Sequence, residues 1–173
     1  MSFRVLVVGG AGAFGRRLVE QLAATTDCDI VLGGRTAAKL DAAIAKLKHD
    51  YPNRTIEGAV LDKDTVQPER LRALNLNVAV DAAGPYQDAE PALARTAIAA
   101  GVNYIDLADA REFVAEFAKL DADAKAAGVA CVTGASSTPA LSNAVLDRLT
   151  QGWQRVDDVA IAISPGNRAQ PGL

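Results

Sequence analysis

Histidine, methionine and tryptophan each occur once in this 173-residue chain, and cysteine only twice. Cys28 and Cys131 have no metal-type spacing and read as reduced core thiols, so no metal site is expected. The single histidine, His49, falls at the far end of a predicted helix, on the opposite edge of the sheet from the candidate site groups. A Ser-His-Asp or Cys-His mechanism is therefore excluded within this chain. Basic residues are not in excess: 18 Lys and Arg face 21 Asp and Glu, for a net charge of −3. A nucleic-acid surface needs clustered Lys and Arg, and none is expected. No apolar run approaches a membrane span and no secretory signal is visible, so the expected compartment is the cytoplasm. What is present is a chain half hydrophobic yet only 5% aromatic, a globular composition with Ala-rich helices. Its length suits one well-buried domain and is too short for two of ordinary size.

The first residues carry the densest information. Phe3 to Val8 is a Val-rich apolar run, as expected of a parallel strand buried on both faces. It breaks into Gly10-x-Gly12-x-x-Gly15, after which Phe14, Leu18 and Leu22 fall on one face of a predicted helix. Strand, glycine turn and helix in that order form the phosphate cradle of a dinucleotide-binding fold. Gly10 allows the tight turn, Gly12 lets backbone approach a pyrophosphate, and Gly15 lets helix pack on strand. The helix N-terminus, at Ala13 and Phe14, offers unpaired N–H groups to the phosphates. A βα turn with no cofactor is the competing reading; the motif's context favours a bound dinucleotide.

The second apolar run, Ile30-Val31-Leu32, decides which dinucleotide is expected. An NAD site of this type normally ends its second strand in Asp or Glu, which binds the ribose hydroxyl. Here Gly33 and Gly34 hold that place and Arg35 follows. Its guanidinium can fork onto a 2′-phosphate through two parallel N–H bonds. Thr36 is placed to cap the next helix, whose N-terminus also favours a phosphate. The expected cofactor is NADP(H).

Apolar runs alternate with helical patterns through the rest of the chain, the signature of a doubly wound, mostly parallel α/β sheet of Rossmann type. Further strands are expected at 56–61, 77–82, 103–107 and 129–133. Helices are expected around 68–74, 88–100, 113–128 and 139–150. Residues 156–163 read as one more strand, with Val159, Ile161 and Ile163 on its apolar side. The expected division is a nucleotide-binding domain over 1–152 and, over 153–173, the first strand and linker of a second domain. That exposed apolar side leads us to expect a homodimer.

Ligands of open α/β sheets gather at the carboxyl ends of the strands. Asp62, Ala83-Gly84-Pro85-Tyr86, Asp106, Asp109 and Thr133 to Ser137 all fall on that edge. Two readings stand for Asp62, an adenine contact or a cap for the following segment. Gly84 permits close approach of the cofactor or simply turns the chain. Tyr86 either shields a nicotinamide or packs in the core. Asp106 and Asp109 either serve the substrate or cap helices, and the Thr133–Ser137 loop is expected to line the nicotinamide pocket. No residue stands out as the catalytic proton donor.

Taken in order, several segments resemble the NADP-binding domain of the saccharopine dehydrogenase-like oxidoreductases. They are Gly9 to Gly15, Gly34-Arg35-Thr36 with Lys39-Leu40, Ala82 to Tyr86, Ala100 to Leu107, Ala127-Gly-Val, and Thr133 to Pro139. The resemblance implies an NADP(H)-dependent hydride transfer with a small-molecule substrate. It also implies a second α/β domain that binds substrate and mediates dimerisation, in whose absence this chain alone is expected to be inactive. An atypical short-chain dehydrogenase or a non-catalytic NADP-sensing module is the alternative. Against its catalytic form, Tyr51, Tyr86 and Tyr104 are followed four residues on by Thr55, Glu90 and Ala108, not lysine.

Overall fold

A computed structural model of the chain describes residues 2–162. Six strands form one parallel sheet: β1 (Arg4–Val8), β2 (Asp29–Gly34), β3 (Ile56–Val60), β4 (Val78–Asp81), β5 (Asn103–Asp106) and β6 (Cys131–Val132). Their order is β3-β2-β1-β4-β5-β6, the doubly wound arrangement in which the chain reverses direction across the sheet at β1. β1 is the central strand, with Val8 level with Gly33 on one side and Asp81 on the other.

Alternation along the strands sends side chains to two separate cores. Val5, Val7, Ile30 and Leu32 meet Val19 and Ala23 of α1 (Ala13–Thr25) and Leu40 and Leu47 of α2 (Ala37–Asp50). Leu6, Val8, Val31, Ala79 and Tyr104 meet the opposite layer. That layer comprises α3 (Pro68–Ala73), α4 (Ala92–Ala100), α5 (Arg111–Phe117) and α6 (Asp121–Ala127). Burial on both faces is what a Val/Ile/Leu-rich parallel sheet requires.

Several boundaries differ from the sequence expectation, each for a local reason. The buried stripe of α1 is Gly15, Val19 and Ala23; Phe14 is 59% exposed, and Leu18 and Leu22 are only partly covered. Gly15 is the contact point with the preceding loop, and this rotates the stripe by one residue. α4 starts at Ala92 because Asp88 takes a left-handed conformation (φ 57°), which no helix continues. The expected 113–128 helix is divided by a 3-10 turn at Ala118–Leu120, yet Phe113, Phe117, Leu120 and Ala124 are all buried as their spacing requires. β6 is only Cys131–Val132, paired with Tyr104 and Ile105 of β5.

The last helix is α7 (Ser142–Leu149); the start of the expected 139–150 helix is taken up by a wider turn, Ser137–Leu141, which runs straight into it. No residue of α7 is buried, and Leu141, Val145 and Leu149 stand exposed, Leu149 at 68%. Val132 of β6, on the sheet face that α1 covers further along, is exposed as well. Residues 156–162 form no strand, having no neighbouring strand to pair with among the described residues; Ile163 lies outside them.

Candidate functional site

A cavity of about 550 Å³ opens at the carboxyl edge of the sheet. Its walls are the β1–α1 loop (Gly9, Ala11, Gly12), the β2–α2 turn (Gly34, Arg35, Thr36, Lys39), the β3–α3 loop (Asp62, Lys63, Asp64) and the β4–α4 loop (Ala83, Gly84, Pro85, Gln87). Four loops from both halves of the sheet converge there, as the reversal of chain direction at β1 dictates.

The β1–α1 loop is tightly built. Gly9 is left-handed (φ 79°), and its N–H donates to the Gly33 carbonyl at 2.9 Å, fastening the loop to β2. Its own carbonyl accepts the Gly12 N–H at 2.7 Å. Gly15 has no freedom to change, because a Cβ there would stand 2.2 Å from the Gly9 oxygen. A Cβ at Gly12 would meet only that same oxygen, at 3.1 Å, a tight approach that a shift of a few tenths of an ångström relieves, far less than Gly15 would demand. The first intrahelical bond of α1 is Arg16 N–H to the Gly12 carbonyl. The N–H groups of Ala13, Phe14 and Gly15 therefore have no partner within the helix, and Gly12 supplies no side-chain cap. That end suits a phosphate.

At the β2–α2 turn, Arg35 and Lys39 present two cations to the cavity, and neither takes part in an ion pair among the described residues. Thr36 occupies the N-cap position of α2, but its hydroxyl makes no capping bond, and the helix has no acid in its first turn. A dianionic 2′-phosphate would meet two cations and an uncapped helix end. This donor set fits NADP(H).

Aspartates end β4 and β5 and brace the loops that follow them. Asp81 is buried; its Oδ1 accepts the Ala83 N–H at 2.9 Å and its Oδ2 accepts from Lys63 Nζ at 3.1 Å. Burial pushes its carboxyl above the usual carboxylate range, against the opposing pull of Lys63 and the Ala83 N–H. Asp106, fully buried, gathers three donors on Oδ1: Ala108 N–H at 3.0 Å, Thr133 Oγ1 at 2.9 Å and Gly134 N–H at 2.8 Å. The Asp106 carbonyl also takes the Ala135 N–H. Asp106 is thus committed to holding the β6 loop onto β5. Asp106→Ala would strand two N–H groups and a hydroxyl. It is expected to cost about 2 kcal/mol and lower Tm by roughly 4–8 °C in a thermal melt, with Asp106→Asn milder because an acceptor remains.

Of the predicted residues, Gly12, Gly34, Arg35, Thr36, Asp62, Ala83, Gly84 and Pro85 lie together on the cavity wall, while Gly10, Ala13, Phe14, Gly15 and Tyr86 do not. Gly10 and Gly15 shape the loop from behind, where a Cβ at Gly10 would reach Leu32 at 3.0 Å. Tyr86 is in the core: its hydroxyl donates to the Asp81 carbonyl at 2.7 Å and its ring packs edge-on against Phe113. Burial drives both the Tyr86 and the Tyr104 phenol upward. Asp62 lines the cavity, and its Oδ1 takes the Asp64 N–H at 3.1 Å. The Thr133–Ser137 loop does not line the cavity, being drawn to Asp106 instead. Lys63, Gln87 and Asp88 were missed; a loop lysine carries no local signal of the buried carboxylate it will meet.

Residues 5–132 match the family described as the saccharopine dehydrogenase NADP binding domain. Among solved structures, the chain is similar to the apo saccharopine dehydrogenase (L-Glu forming) from Saccharomyces cerevisiae. The match has a TM-score of 0.67 and 17% identity, and covers 87% of this chain and 31% of that one. A short-chain dehydrogenase from Sphingobium yanoikuyae, solved in complex with NADPH, matches with a TM-score of 0.52 and 17% identity over 76% of this chain and 70% of that one. A citronellol catabolism dehydrogenase from Pseudomonas aeruginosa matches at 0.53 and 20% identity, over 73% and 70%. No curated protein sequence matches the chain.

Proposed function

Because the chain belongs to the saccharopine dehydrogenase NADP-binding domain family, we propose that it holds NADP(H) for hydride transfer to or from a small-molecule substrate. The observation that carries this reading is the convergence of the β1–α1 loop, as far as Gly12 at the N-cap of α1, with Arg35 and Lys39 on one cavity. When bound, the cofactor supplies or accepts the hydride at its nicotinamide. The chain's own residues bind and orient it: the β1–α1 loop receives the pyrophosphate, and Arg35, Thr36 and Lys39 the 2′-phosphate. Exposed Asp109 accepts from Gln87 Nε2 at 3.4 Å.

A reacting substrate needs a facing wall to hold it at near-attack distance. We place that wall in a second domain whose leading segment is 153–173, after a nucleotide-binding domain over 1–152, and we place the protein in the cytoplasm as a homodimer. The exposed side chains of Val156, Val159 and Ile161, together with the exposed apolar side chains of α7, support an association surface. A non-catalytic NADP-sensing module is the second reading, favoured by the burial of Tyr86 and Tyr104, whose phenols do not reach the cavity.

Calorimetric titration with NADPH, followed by assay of NADPH oxidation against imino and keto acids, tests the proposal. These 173 residues are expected to bind NADPH with no turnover; absence of binding would refute the cofactor role, and robust turnover would refute the need for a second domain. Light scattering is expected to give a dimer that weakens in Val159→Ser/Ile161→Ser. A monomeric parent chain would remove the association.

A further inference from the structure

A second groove, of about 490 Å³, lies beside the last strand of the sheet and shares no residue with the cofactor cavity. Val114, Phe117, Leu120, Ala124, Val129 and Cys131 form its apolar lining, and exposed Lys125 borders it. Next to it the outer edge of β6 is open, because β5 is the neighbour of β6 on one side and no strand lies on the other among the described residues. An open edge presents main-chain N–H and C=O groups that another strand can pair.

One segment of the chain has the complementary character. Residues 156–162, Val-Asp-Asp-Val-Ala-Ile-Ala, place Val159 and Ile161 on one side of an extended chain and Ala160 and Ala162 on the other. They belong to no helix or strand, and Val159 and Ile161 are 48% and 52% exposed. At ~3.3 Å per residue the segment spans about 23 Å, enough to run the length of the 129–133 stretch that edges the groove, about 17 Å.

We propose that two copies of this chain associate by exchanging this segment, residues 156–162 of each adding as a seventh strand to the open edge of β6 of the other. The inference rests on the homodimer proposed above and names the surfaces that form it. In strand addition the main-chain bonds give affinity, and pockets for alternate side chains fix the register. Val159 and Ile161 enter the groove, while the alanines lie on the Val132 side. A parallel orientation suits both the sheet and the charges. The Val129 N–H donates to the Ala124 carbonyl at 3.0 Å, so the turn of α6 that bears Lys125 lies over the start of β6. With Val159 level with Cys131, Asp157 falls at that end beside Lys125, and Ile161 falls toward Val114 and Thr133. Each chain's own segment is unpaired in the structure, which leaves its own β6 edge free for the partner's. Exchange is reciprocal, so the dimer gains two such contacts, bringing it toward the roughly 1,600 Å² that a stable interface buries.

Cys131 is the reporter for the test. Val159→Cys puts a second thiol level with it in this register, and a disulfide forms only where the two Cα atoms come within about 7 Å. The variant is oxidised with copper phenanthroline, run on a non-reducing gel and mapped by peptide mass spectrometry, with light scattering of the parent chain alongside. Most of the chain is expected to run as a covalent dimer joined between position 159 and Cys131, a species lost in Val159→Cys/Cys131→Ser. A link between these two positions within one chain overturns the exchange and assigns the strand to its own β6. Dimers joined through position 159 alone, or no link at all in a chain that light scattering shows to be dimeric, overturn the groove as the docking site and leave the homodimer standing. A monomeric parent chain refutes the homodimer itself, and the exchange with it.

Discussion

Gly12→Val is expected to abolish measurable NADPH binding in a protein that still folds, whereas Gly15→Ala is expected to damage the fold itself. The two glycines belong to one motif, but their surroundings differ. At Gly12 the backbone is extended (φ −83°, ψ 178°), a conformation open to valine, and the nearest obstacle to a Cβ is the Gly9 oxygen at 3.1 Å. A branched side chain there projects where the pyrophosphate must approach. A loss of about 3 kcal/mol or more, a hundredfold and upward in Kd, is expected by calorimetry. At Gly15 a Cβ would lie 2.2 Å from the Gly9 oxygen, 2.6 Å from its carbonyl carbon and 2.9 Å from the Gly10 Cα. All three are backbone atoms, and the helix cannot move away without breaking its contact with the sheet. About 3 kcal/mol or more of destabilisation is expected, a fall in Tm of roughly 6–12 °C, far beyond alanine's helix-propensity gain of about 1 kcal/mol. An unchanged melt in Gly15→Ala, or parental binding in Gly12→Val, would contradict this division of labour.

Cofactor choice should be reversible at the end of β2. Arg35→Ala is expected to lower NADPH affinity by about 1.5–3 kcal/mol, ten- to over a hundredfold, with NADH affinity nearly unchanged. Gly34→Asp should act in the opposite chemical sense. A Cβ at Gly34 meets only Leu40, at 3.5 Å, which is ordinary contact, and the residue needs no left-handed conformation. The carboxylate would repel the 2′-phosphate and offer the ribose hydroxyls of NADH the acceptor that such sites normally use. Gly34→Asp/Arg35→Ala is therefore expected to prefer NADH. Parallel titrations of both dinucleotides decide it, and a double variant that keeps NADPH preference would remove Arg35 from the phosphate site.

Sequence pattern made the sheet legible, since each strand is a short apolar run and each crossover a periodic helix with a glycine or proline boundary. Gly101 and Gly128, both left-handed, stop their helices as expected. The α1 stripe was misplaced by one residue because the close approach of Gly15 to the Gly9–Gly10 backbone is a tertiary contact with no periodic trace. The backbone-facing part of the site, from Gly12 through Arg35 to Gly84, follows from strand ends alone. Tyr86 and Lys63 do not, because their orientations depend on Asp81, which sits on β4 and whose burial is set by neighbours on β1 and β5. The Thr133–Ser137 loop escaped for the same reason: Thr133 Oγ1, the Gly134 N–H and the Ala135 N–H all donate to Asp106, away from the cavity.

The central position of β1 has a consequence for how this protein is made. β1 leaves the ribosome before both of the strands it pairs with, β2 and β4, and β4 ends only at Asp81. At a synthesis rate of about 5–20 residues per second, β1 waits roughly 4–15 s for its second partner. During that interval Leu6 and Val8 lack the layer that will bury them, which comes mainly from α4 onward. The apolar face of β1 that these side chains form thus stays open on the nascent chain until α4 has emerged. Clusters of slow codons are best tolerated after residue 100, once α4 can close over the sheet.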